Sequence, residues 1–128
     1  MRPEEYNTVP VRLPDGSVIR AEQLVQPEEL ARGMMFRDEL PEDRGLLFYH
    51  GSPGRYPYWM YQVKVPLDIV WLDARKRVVE VVAAAPPCPG PQDRCPSYGG
   101  THEAQYVLEL RAGAAGRRGL QPGAQVEF

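Results

Sequence analysis

A chain of 128 residues, 14.4 kDa and 43% apolar composition has the size of one domain and needs neither metal nor cofactor merely to fold. The net charge of −2, from 15 basic and 17 acidic residues, provides no basic excess to hold a nucleic-acid backbone. No segment approaches the ~20 apolar residues of a membrane helix, and Met1–Tyr6 lacks the apolar core of a secretory signal. The expectation is therefore a single domain over 1–128 with a short N-terminal extension, 1–7, no nucleic-acid partner and no membrane span. As written the chain reads as cytoplasmic, or as exported if a leader has been removed.

The first elements alternate with period two. Thr8–Leu13 and Val18–Glu22 flank Pro14-Asp15-Gly16-Ser17, and Asp-Gly between alternating runs predicts a hairpin, since the turn needs positive φ. Gln26-Pro27-Glu28-Glu29-Leu30-Ala31-Arg32-Gly33 then has proline at the first helical position, acids in the first turn and glycine at the exit, which predicts one short helix near 27–33. Residues 38–45 read as a solvated acidic loop.

Beyond the loop, strands are predicted over Leu46–Tyr49, Tyr56–Val63, Leu67–Leu72, Val78–Val82, Ala104–Leu110 and Gln125–Phe128, with a helical turn over 112–118. The span 84–102 holds five prolines and three glycines, which excludes helix and central strand and marks a long loop of the kind that is functional or disordered. Seven to nine strands with one short helix make an all-β fold, an antiparallel sandwich or a barrel-like fold.

Several motifs now stand in one order: Leu30–Arg37, Gly45-Leu46-Leu47-Phe48, Trp59-Met60, Pro66-Leu67-Asp68-Ile69, Pro87-Cys88, Cys95-Pro96-Ser97-Tyr98 and Tyr106–Leu110. Together they resemble the domain of unknown function 192 family over about residues 9–128. The resemblance implies a small β-rich, sandwich-like fold and brings no known activity with it. It also exposes a departure: where the family commonly continues Trp-Met with Lys-Asn-Thr, this chain has Tyr61-Gln62-Val63.

Candidate site residues follow from chemistry. Asp68 is an acid in an otherwise apolar strand, so it must meet a guanidinium or backbone amides. Arg32 and Arg37 flank the Gly-Met-Met turn, and the first reading is an Arg–Asp pair locking the helix exit to the sheet; the second is a polar cluster on a pocket wall. Strand alternation sets Tyr58 and Met60 on one face and Trp59 and Tyr61 on the other, with the latter pair expected nearer a cleft holding Arg37. Tyr98 and His102 add the long loop's contribution.

Cys88 and Cys95 enclose six residues, which suits a disulfide stapling that loop better than a CxxC metal or redox pair. It sits poorly with a reducing cytosol.

The function expected is a non-enzymatic binding module for a small molecule or a protein, working through the helix exit, the Tyr56–Tyr61 strand and the 84–102 loop. It requires no catalytic residue, metal or cofactor. Two alternatives stand beside it. One is a small hydrolase of a polar or sugar-like substrate using Asp68, Arg37 and His102. The other is a soft-metal binder using Cys88 and Cys95 with His102 or with Met34, Met35 and Met60. No nucleophile-elbow, P-loop or dinucleotide pattern is present.

Overall fold

The computed structural model describes residues 7–128, so nearly all of the predicted N-terminal extension, residues 1–6, lies outside the described residues. In chain order the elements are β1 (Thr8–Arg12), β2 (Val18–Leu24), α1 (Pro27–Arg32), β3 (Arg44–Gly54), β4 (Tyr58–Trp59), β5 (Leu67–Leu72), β6 (Val78–Ala85), β7 (Ser97–Tyr98), β8 (Ala104–Arg111) and α2 (Ala114–Arg117). Six strands form one sheet in the order β1-β2-β3-β8-β5-β6, and β4 pairs with β7 in a separate two-stranded ribbon. The all-β expectation holds. The sheet is mixed, however, because β2 and β3 run parallel, and it does not close into a barrel.

That parallel pair has a consequence for the whole molecule. Parallel neighbours cannot be joined by a tight turn; they need a crossover of a dozen or more residues lying on a sheet face. Residues 25–43 are that crossover, and they carry α1 with them. α1 begins as its sequence predicts: Pro27 occupies the first turn, and Glu29 reciprocates the backbone at Gln26 in a capping box.

Both faces of the sheet are apolar and both are covered. On one, Leu47, Val70, Leu72, Leu108 and Leu110 pack with the β1–β2 hairpin, α2, Leu120 and Val126. On the other, Leu46, Phe48, Ile69, Trp71 and Val107 pack with Met34, Leu40, Met60 and Val63. Every residue of β5 is buried in consequence.

Three predicted elements are redrawn by this packing. The aromatic strand shrinks to Tyr58–Trp59 because Gln62 adopts a left-handed φ of 58°, and the chain turns there to place Val63 in the core. The loop after β6 starts later than expected, at Pro86, and contains a 3-10 turn at Gln92–Arg94 as well as β7. The closing strand reduces to isolated bridges, Arg12 to Glu127 and Arg77 to Gln125.

Asp68 fastens the first cover to the sheet. It is 1% exposed, and its carboxylate accepts backbone N–H bonds from Ala84 (2.8 Å), Gly113 (2.9 Å) and Ala115 (2.9 Å). Charge-assisted bonds to three amides replace the hydration it lost on burial. The Arg–Asp pair expected from the sequence is not formed: Arg37 binds Glu22 at 2.7 and 3.1 Å instead, because the crossover carries Arg37 to the opposite face.

The second cover is held by Trp71. Its indole N–H donates to the carbonyl of Tyr56 at 2.8 Å, and its ring lies so close under Gly99 that a Cβ there would sit 2.2 Å from Trp71 Cζ2. Gly99 also has φ of +68°, so glycine is required there twice over.

Two outcomes are expected in urea denaturation. Asp68→Ala loses about 3 to 5 kcal/mol, because three buried amides lose their acceptor together, whereas Asp68→Asn, which keeps one acceptor oxygen, loses less. Gly99→Ala loses about 2 to 4 kcal/mol through overpacking against Trp71 and left-handed backbone strain.

Candidate functional site

Between α1 with its exit turn and the β4–β7 ribbon lies a groove of about 330 Å³, walled mainly by Gly33, Met35, Phe48, Tyr58, Trp59 and Tyr61 and reaching Glu109. Its position follows from the fold. The crossover places one wall, the ribbon places the other, and the central strands β3 and β8 make the floor.

The rings meet at steep angles. Tyr58 stands edge-on to Phe48, with centroids 5.0 Å apart and planes at 86°, and Trp59 meets Tyr61 at 5.4 Å and 55°. His50 stacks on Tyr56 at 3.7 Å and shares a hydrogen bond of 2.8 Å with the Tyr58 hydroxyl. Burial lowers the His50 pKa, which keeps the ring neutral at physiological pH. Burial raises the Tyr58 pKa, and the nearby Glu109 adds to the effect.

Glu109 is the group that the sequence reading missed. It lies on β8 between Leu46 of β3 and Ile69 of β5, on the face opposite Leu108 and Leu110. It is 4% exposed, and its buried Oε1 has no hydrogen-bond partner among the described residues. A Cβ on Gly33, whose φ is +45°, would come within 4.0 Å of that oxygen and 3.1 Å of the Phe48 ring. The backbone at Gly33 thus packs against the Phe48 ring beside the carboxyl group, too tightly to admit a side chain. Desolvation pushes the Glu109 pKa up to about 8, against an opposing pull from the positive charge of Arg37. The signal was legible: Glu109 is an acid inside an apolar run, the same pattern that singled out Asp68.

The predicted site residues divide accordingly. Arg32, Trp59 and Tyr61 line the groove, and Trp59 and Tyr61 are half-buried. Tyr98 sits behind them, paired with Tyr58 across the ribbon. Arg37 is not in this groove. It lines a neighbouring depression with Arg20, Glu22 and Arg44. Asp68 faces the other side of the sheet, and His102 is exposed, 3.6 Å from Glu80. The three residues of the hydrolase alternative are therefore engaged separately.

Cys88 and Cys95 form a disulfide, with Sγ–Sγ at 2.00 Å. The soft-metal alternative loses its thiolates to that bond, and Met34 and Met60 are enclosed in the core. The disulfide stiffens the loop against Tyr61, which bridges Cys88.

Comparison with known proteins agrees with this architecture. The model of the DUF192 family, described as uncharacterized ACR, matches residues 11–128. A solved structure of a protein of unknown function from Novosphingobium aromaticivorans is similar at 32% identity and a TM-score of 0.85, covering 94% of this chain and 85% of that one. Another, from Sinorhizobium meliloti and described as a candidate transcription regulator, is similar at 26% identity and a TM-score of 0.80, covering 94% and 91%. No curated protein matches significantly.

A raised carboxyl pKa has a thermodynamic sign. Glu109 titrates near 8 when folded and near 4.5 as the unperturbed group, so between those values the folded state holds a proton that the unfolded chain has released. Stability falls with rising pH across that window. Glu109→Gln removes the slope. The difference in unfolding free energy between Glu109→Gln and the parent is expected to grow in the variant's favour from pH 5 to pH 8, by up to about 1.4 kcal/mol per pH unit. Parallel curves would place the carboxyl in contact with water.

Proposed function

From a chain that belongs to the uncharacterised DUF192 family, we propose a binding module whose ligand is a small molecule held in the groove between α1 and the β4–β7 ribbon. One observation carries this reading: a buried carboxyl oxygen without a hydrogen-bond partner among the described residues, on the wall of an aromatic cavity. Buried polar groups are almost always paired, because an unpaired one costs about 1 to 3 kcal/mol. An unpaired acceptor beside a cavity offers a ligand's donor or cation a place to bind.

The cavity volume, about 330 Å³, lies at the small end of ligand sites. Apolar and aromatic walls with a few polar groups suit recognition and orientation. Arg37, held at 2.7 Å by Glu22, and His102 both lie outside the groove, so the polar set of the hydrolase alternative does not converge there. The disulfide supports residence in an oxidising compartment. The net charge of −2 argues against extending the transcription-regulator description of the Sinorhizobium relative to this chain.

A fragment library titrated into the full chain, read by the indole N–H resonances of Trp59 and Trp71, tests the proposal. Hits are expected to move Trp59, and Trp59→Ala is expected to weaken them at least tenfold while the melting temperature stays within a few degrees. Hits that leave Trp59 unmoved, or a Trp59→Ala variant that unfolds while Trp59→Phe binds unchanged, would transfer the site elsewhere.

A further inference from the structure

The groove's chemistry also selects the charge of what enters it. We propose, resting on the small-molecule reading above, that the ligand carries an alkylated ammonium group, with Glu109 as its counter-ion and the rings of Phe48, Tyr58, Trp59 and Tyr61 as its walls.

Three observations lead there. The first is the buried Oε1 of Glu109, which has no hydrogen-bond partner among the described residues and is acceptor-only once the group ionises. The second is the set of rings: the two pairs cross at 86° and 55°, so the walls offer π faces in more than one direction, and a cation is attracted to such faces. The third is the disposition of other charges. From the loop after α1, Arg37 is engaged by both carboxylate oxygens of Glu22. From α1, Arg32 stands at the rim with its charge acting on Glu29. From β3, His50 is neutral, and from the ribbon side come the phenols Tyr56, Tyr58 and Tyr61. Once ionised, a carboxyl group in the wall repels anionic ligands, and Arg32 is the one cationic side chain among the described residues that line the groove.

A permanently charged ligand gives this arrangement a pH signature. Glu109 is largely protonated at pH 7 and ionised at pH 9, and His50 stays neutral between them. Only the ionised form pairs with the cation, so affinity rises about tenfold over those two units.

The test uses the full chain and two probes of one shape, choline and its neutral isostere 3,3-dimethylbutan-1-ol, titrated at pH 7 and pH 9 with the Trp59 indole signal as readout. Choline is expected to bind at least tenfold more tightly than the alcohol and about tenfold more tightly at pH 9 than at pH 7. Glu109→Gln is expected to remove both differences while remaining folded by circular dichroism. Equal binding of the two probes at Trp59, independent of pH, would overturn the cation and leave the small-molecule site standing. Failure of choline to perturb Trp59 at either pH would likewise overturn the cation, and the fragment titration separately decides whether the groove binds anything. Should Glu109→Gln fail to fold, the choline-to-alcohol ratio and its pH dependence in the parent decide alone.

Discussion

A mixed sheet with apolar residues on both faces cannot stand alone in water, so everything else in this fold is organised as covering. The central strands β3, β8 and β5 are buried on both sides, and each face needs a lid made of segments that are not themselves sheet. The two lids are attached by different chemistry. On one side a carboxylate, Asp68, draws three backbone amides onto itself and thereby binds α2 and the end of β6 to β5. On the other, the Trp71 indole holds the Tyr56 carbonyl and lies flush beneath Gly99.

Two buried acids on opposite faces of one sheet show how alike sequences of events lead to unlike roles. Asp68 lies where the chain folds back with three free N–H groups, and its charge is absorbed. Glu109 lies where the overlying backbone turns through Gly33 with no amide directed at it, so the desolvation cost remains, visible as a pKa raised to about 8. Natural proteins keep such unrelieved polar groups mainly where function requires them, since replacing them with apolar residues of similar shape is usually neutral or stabilising.

The ribbon β4–β7 connects the sheet to the groove. Phe48 and Trp71 belong to the sheet and hold Tyr58 between them at 5.0 and 6.0 Å. Trp59 and Tyr61 extend from that base into the groove. Gln62, next in line, contributes backbone: its carbonyl accepts the Phe36 N–H at 3.1 Å. A scaffold that anchors one aromatic residue and presents the next two can change its ligand without changing its fold.

Period-two alternation, the Asp15-Gly16 turn, the Pro27 helix start and the β-branched density of β6 were readable from the chain alone, because each depends on neighbours within a few residues. The same local logic marked Asp68 as an acid needing donors and Cys88 with Cys95 as partners. Pairing β2 parallel to β3 was not readable, since an extended strand looks the same whichever neighbour it takes. That one pairing decides which face α1 covers, sends Arg37 to Glu22 rather than to Asp68, and lays Gly33 over Glu109. Local patterns determined which residues become strands and which acids would be buried; only long-range packing decided that Asp68 would find three amides and that Glu109 would find none.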